Sequence, residues 1–153
     1  MPGLNRIAET TTLDSSIGSR LEYSKLSLRA FSSDMTAKKT LFGSGWDNYL
    51  FVWNKYYDQK IYALDSANAD RAHNKLFDML IMTGVLGLLA YLSAWFFFMK
   101  KVRTIFSTSI FVGFALLMWG IAYFVNLLSA FDTIATFSVF YAVCSYVTTY
   151  SYE

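Results

Sequence analysis

One histidine occurs in the 153 residues, and it stands in the cluster Asp70-Arg71-His73-Asn74. Imidazole is the side chain that titrates nearest neutrality, so His73 can take up or return a proton at physiological pH. On a helix Asp70 and Asn74 would fall at i−3 and i+1, where Asp70 orients and tunes the ring. Arg71 adds a permanent charge whose planar fork matches phosphate oxygens. Proton transfer beside a bound phosphate is the chemistry that these types allow. A hydrogen-bonded structural histidine near a membrane surface is the alternative, and residue type alone does not separate the two. Metal chemistry fits poorly: His73 and the single Cys144 lie roughly seventy residues apart, which is not ligand spacing. No metal or cofactor is expected.

The elements that must carry this cluster follow from the distribution of charge. The chain is 55% hydrophobic and 16% charged, against roughly 25% charged in soluble domains. Residues 1–78 hold ten Lys/Arg and nine Asp/Glu, whereas 79–153 hold only Lys100, Lys101, Arg103, Asp132 and Glu153. From Met79 to Met99 there are 21 uncharged residues, enough to cross a bilayer as a helix. Trp95, Phe96, Phe97 and Phe98 near its end suit an interfacial belt. A second uncharged run covers 105–125, and a shorter one, rich in Thr, Ser and Tyr, covers 133–149. The stretch Asn126 to Asp132 is short enough to turn between antiparallel helices. The expected fold class is therefore an all-α integral membrane protein, with a helical polar region (1–76) followed by three transmembrane helices (77–153).

Orientation is not settled by charge. Lys100, Lys101 and Arg103 favour a cytoplasmic loop, but Lys60, Arg71 and Lys75 flank the first span on its other side. The net charge of +2 is too small to suggest nucleic acid, no basic stripe supports it, and no nucleic-acid partner is expected. The opening residues MPGLNRIAETTTLDSS lack the apolar core of a signal peptide.

In the polar half, Ser19-Arg20-Leu21-Glu22 reads as a capping box. Leu21, Leu28, Phe31 and Met35 recur at helical spacing, which predicts an amphipathic helix over 20–37 ended by Lys38 and Lys39. Gly43 and Gly45 then permit a tight turn, but no further glycine of a dinucleotide fingerprint follows. Trp46, Tyr49, Phe51, Trp53, Tyr56, Tyr57 and Tyr62 crowd the next stretch. Two readings stand for them: a segment resting on the membrane surface, or a carbohydrate or lipid-headgroup surface on which rings stack.

Four patches in order carry a resemblance to a known family: GSRLEYSKLSLRAF (18–31), TLFGSGWDNY (40–49), ADRAHNKLFDMLIMTGVLGLLAYL (69–92) and YFVNLLSAFDTIATF (123–137). Together they resemble the O-antigen ligase and polymerase superfamily of bacterial membrane glycosyltransferases, the third patch most specifically. Ser24 and Thr40 depart from the family's usual tryptophan and proline. In length the chain looks like the C-terminal third of such a protein, its large extracytoplasmic loop and last three spans.

The resemblance implies a bacterial inner-membrane protein with the loop extracytoplasmic and the C-terminus cytoplasmic. It further implies a metal-independent, inverting transfer in cell-envelope polysaccharide synthesis. A glycan would move from an undecaprenyl-diphosphate donor to a hydroxyl of the lipid A core, another glycan or a protein. Arg20 would clamp the diphosphate, and His73 would position or deprotonate the acceptor hydroxyl. Arg71 would assist at phosphate, Asp70 or Asn74 would hold the imidazole, and Gly43 and Gly45 would belong to the substrate-binding turn. An upstream membrane segment, carrying a further arginine, would complete the site. Ligase and polymerase are not separated by any residue here. A second reading, drawn from the short length, is a non-catalytic truncated membrane protein or one half of a split enzyme.

Overall fold

The computed structural model describes residues 18–33, 36–57, 70–128 and 133–150. Every regular element among them is helical: α1 (18–33), α2 (Ala37–Phe42), α3 (Tyr49–Tyr56), α4 (Lys75–Thr108), α5 (Ile110–Leu127) and α6 (Ile134–Tyr150). Helices α4 and α5 are long and apolar enough to cross a membrane, with mean hydropathies of 1.9 and 2.0. Helix α6 is also apolar but has 17 residues. The opening stretch, Met35, Lys60 and Tyr62 lie outside the described residues, as does most of the turn expected before α6.

Two cores result. One joins α1, α3, the segment before α4 and the first turns of α4 through Tyr23, Leu26, Ala30, Tyr49, Trp53, Ala72, Ile81 and Met82. The other lies among α4, α5 and α6, around Trp95, Phe98, Val102, Ile105, Leu127, Phe140 and Val147. Its centre is a pile of rings: Trp119 stacks on Tyr123 at 5.3 Å, and Tyr123 stacks on Phe140 at 5.4 Å.

Helix α1 differs from expectation in three ways. Residue 18 is already helical, so Ser19 lies inside the helix and is buried rather than capping it. The helix does not reach residue 37: Thr36 is extended and begins α2 by accepting from the Lys39 amide, so Lys38 and Lys39 belong to a second helix. The buried face is that of Tyr23, Leu26, Ser27 and Ala30, whereas Leu21 and Leu28 are 55% and 57% exposed. Helical periodicity was right, but the partner chose the face. Ser27 Oγ and Tyr49 Oη share a hydrogen bond of 2.8 Å, and Trp53 packs edge-on to Tyr23 at 5.0 Å. A polar pair bonded to itself enters a core at small cost, which no hydrophobicity pattern registers. Burial pushes the Tyr49 phenol up, so it stays protonated as the partner of Ser27. Tyr49→Phe should lower the stability of this core by about 1–2 kcal/mol, read as an earlier unfolding transition in Trp53 fluorescence.

The expected break after Met99 is also displaced. Helix α4 continues through Lys100, Lys101 and Arg103 to Thr108, and the chain turns at Ser109 in extended conformation (φ −147°, ψ 108°). Lysine and arginine are good helix formers, and buried Val102 and Ile105 keep this last stretch packed. A charge cluster in the sequence does not by itself mark where a helix ends.

Helix α4 is bent near its start. Gly84 has φ 71° and ψ −170°, which is not helical. Across this kink lies the turn at 43–45, where the amides of Ser44 and Gly45 donate to the carbonyls of Ile81 (2.8 Å) and Met82 (3.0 Å). Gly43 itself has φ 77°, a left-handed conformation that suits glycine. A Cβ on Gly43 would overlap the backbone of Met82 and Thr83, and one on Gly84 would overlap that of Leu41 and Gly43. The polar half is thus latched to α4 backbone against backbone.

Candidate functional site

The segment 70–74 is a bend, not a helix, so the i−3 and i+1 relation of Asp70 and Asn74 to His73 does not hold. The reason is at its end. Asn74 is the N-cap of α4, with its Oδ1 accepting from the amides of Leu76 (3.0 Å) and Phe77 (3.4 Å). A capping residue takes non-helical dihedrals, and the preceding His73 has φ 52°. Histidine tolerates that left-handed region better than most side chains.

Three tethers hold this bend. Beneath it, buried Asp78 accepts from the Ala72 amide at 2.7 Å. Beside it, the Asn74 Nδ2 donates to the carbonyl of Leu128, the residue that ends α5, at 2.9 Å. Above it, the His73 ring stacks on Tyr23 of α1 with centroids 5.4 Å apart and planes at 24°. The ring is half-buried. Asn74→Ala removes both the cap and the tie to α5 and should cost about 1–2 kcal/mol. Asn74→Asp, which can still cap but cannot donate to Leu128, should fall between the two in thermal melts.

Arg20 is exposed and lies one turn before Tyr23 on α1. Residues three apart share a helix face, so Arg20 stands on the side of α1 that carries the ring stacked on His73. Arg71 bonds Asp47 Oδ1 at 2.7 Å through one guanidinium nitrogen and approaches Met82 Sδ at 3.5 Å through the other. Asp47 follows the glycine turn, so the turn and Arg71 are joined. Gly43 and Gly45 shape that turn against α4, and the amides of Ser44 and Gly45 are engaged there. Asp70 is exposed at the start of the bend.

Sequence reasoning missed the carboxylate under the loop and the cation beside it. Asp78, in the first turn of α4, is buried and accepts from the Ala72 amide, so it precedes the uncharged run and holds the bend from below. Lys75, the first residue of α4, is 6% exposed. Its ammonium lies 5.7 Å from the Trp46 ring centroid, 6.0 Å from that of Tyr91 and 5.5 Å from that of Phe137. One signal was available: a lysine at a helix N-terminus opposes the helix dipole and calls for another reason to be there.

Arg71, Lys75 and Asp78 open with Trp46 and Thr133 on a cavity of about 190 Å³. The mouth of α4 therefore collects Arg71, a buried lysine and an exposed indole, while His73 on the same bend and Arg20 on α1 are not on its wall. Cations such as Arg71 and Lys75 can bind a phosphate without a metal. Among the described residues no group of three or more His, Cys, Asp or Glu is placed to hold a metal ion. In comparisons with known proteins, no family model, curated protein or solved structure matches the chain.

Proposed function

We propose that the chain is the C-terminal part of an O-antigen ligase-like membrane glycosyltransferase. One observation carries the reading: the four patches that resemble the family, far apart in sequence, meet around His73. The first patch supplies Tyr23 against the imidazole. The second supplies Asp47 to Arg71, and the fourth supplies the Leu128 carbonyl to Asn74. A chance scatter of weak motifs has no reason to converge on residues 71–74 of the third.

In this reading α4, α5 and α6 span the bacterial inner membrane, the polar half is extracytoplasmic, and Lys100, Lys101 and Arg103 face the cytoplasm. The donor is a glycan on undecaprenyl diphosphate, and the acceptor is a hydroxyl of lipid A core, glycan or protein. The hydroxyl oxygen bonds to the anomeric carbon from the face opposite the phosphate. The carbon–oxygen bond to the diphosphate breaks, and the diphosphate leaves with the electron pair. His73 accepts the hydroxyl proton. Arg20 and Arg71 neutralise charge on the leaving group, where fixed donors act most strongly because they need no reorganisation. Tyr23 and Asp78 are positioning residues, one through the ring and the other through the Ala72 amide. Ligase and polymerase differ only in the acceptor.

The test supplies the chain, with the upstream membrane segment that the resemblance calls for, to a strain lacking its own ligase. Glycan-bearing lipid A core on a gel supports the ligase reading. Longer lipid-linked glycan without transfer to core turns it to the polymerase. Neither product, with the protein present in the membrane, rejects the enzyme and leaves a non-catalytic membrane protein.

A further inference from the structure

Among the described helices only α2 has no buried residue. A helix of 6 residues does not hold itself together in water, so its form depends on what lies against it. On one side that is α4, through the latch between Gly43 and Gly84. The other side is open: Lys38 and Lys39 are exposed, and Leu41 and Phe42 are 44% and 62% exposed. Trp46 on the following turn and Phe51 on α3 are exposed as well. Phe51 and Lys39 line one cavity, so α2 and α3 open on the same side. A contiguous apolar surface of this kind calls for a partner.

The latch fixes how deep that surface lies. A Cβ on Gly84 would strike the backbone of Leu41 and Gly43, and Gly84 is five residues past Met79, where the uncharged run of α4 begins. At 1.5 Å per residue that is about 7–8 Å along the helix axis. An interfacial helix sinks its apolar face by roughly the same amount, about 5–10 Å. Leu86 and Leu89 of α4, just beyond the contact, are also exposed. An apolar surface beside the outer turns of a span meets hydrocarbon at that depth, not water. Lys38 stands one turn before Leu41 and Phe42 on the same helix face. Its long stem lets the ammonium reach headgroup level while the apolar residues stay below. An indole settles at the same level, which suits Trp46.

We infer that α2 and the turn after it form an interfacial anchor, and that its partner is the phospholipid of the bilayer. Leu41 and Phe42 enter the hydrocarbon of the leaflet on which α4 begins, and Lys38 and Lys39 rest on the lipid phosphates. The inference rests on the proposal that α4 spans a membrane, but not on the chemistry assigned to His73. Its consequence reaches the bend, because Asp47, just past the turn, bonds Arg71 at 2.7 Å. The leaflet thereby sets the height of residues 70–74.

The test is nitroxide depth in the whole chain, reconstituted in phospholipid vesicles on a Cys144→Ser background. Single labels go on Leu41→Cys, Lys38→Cys, Asp70→Cys at the exposed start of the bend and Phe96→Cys on the exposed face of α4. Collisions with oxygen, which concentrates in hydrocarbon, and with a water-soluble nickel chelate give the depth of each label. The label at Leu41 should lie roughly 5–10 Å below the phosphates, with nickel collisions several-fold rarer than at Asp70. The label at Lys38 should lie shallower. A Leu41 label as open to nickel as the one at Asp70 overturns the inference, because the surface then faces water. A Leu41 label closed to both reagents also overturns it, because protein then covers the surface. So does a Lys38 label deeper than the one at Leu41. Phe96 separates the two readings. If it is shielded from nickel while Leu41 is open, α4 spans and the anchor fails. If both are open to nickel, the membrane reading fails together with the anchor.

Discussion

Replacing His73 by alanine should lower glycan transfer about 10²- to 10⁴-fold, the contribution expected of a positioned general base, with the protein still inserted in the membrane. Alanine alone is an imperfect probe, because position 73 has φ 52° and alanine is less at ease there than histidine. Asparagine tolerates that conformation and cannot act as a base near neutrality, so His73→Asn separates the chemistry from the backbone. The two variants should lose transfer to a similar extent, assayed as glycan-bearing acceptor with the full upstream segment present. Near-normal transfer by His73→Asn would sink the base assignment. Arg20→Ala should also lose transfer, by a different route. In the proposed reaction its guanidinium would meet the leaving group, so Arg20→Lys should recover only part of the rate, because an ammonium lacks the paired donors. Tyr23→Leu should reduce transfer less than either, since it only loosens the ring.

Gly84→Val should do the most damage to the fold. The substitution places a β-branched residue at φ 71° and drives its Cβ into the backbone of Leu41 and Gly43. Backbone cannot move aside as a side-chain tip can. A loss of roughly 3 kcal/mol or more is expected from strain and the broken latch together. Gly43→Val attacks the same contact from the other side, overlapping Met82 and Thr83. Both should detach the turn from α4, free the Ile81 and Met82 carbonyls, and expose the polar half to protease while α5 and α6 remain protected. Combining them should cost little more than either alone, because neighbours in one contact are not additive. Leu86→Val, at a half-exposed site just beyond the kink, is the control and should be near neutral. Intact protease resistance in both glycine variants would show that the latch does not hold the two halves together.

The legible part of this protein was what one segment can decide by itself. Helix α6 follows the run read at 133–149 to within a residue at each end. Helix α5 begins and ends near, though not at, the limits read for it. The regular elements described in the polar half are helices, and His73 stands just before the first apolar helix. What failed needed a second segment. The face of α1 was misread because Ser27 is core only when Tyr49 is there to bond it. The end of α4 was misread because Val102 and Ile105 pack against other helices past the lysines. The bend at 70–74, which local pattern leaves open, depends on a cap that also reaches a carbonyl more than fifty residues away.

The sequence by itself determined the kinds of element, the sharp division between a charged front and an apolar back, and the residues with chemistry to offer. Those follow from local periodicity and from the cost of placing charge in hydrocarbon, both properties of contiguous residues. Only the tertiary structure decided that Tyr23 would carry His73, that Gly43 and Gly84 would meet backbone to backbone, and that Lys75 would be kept dry among three rings. Each of those depends on how closely two distant segments approach. That distance is set by the summed packing of the whole chain and is written in no single stretch of it.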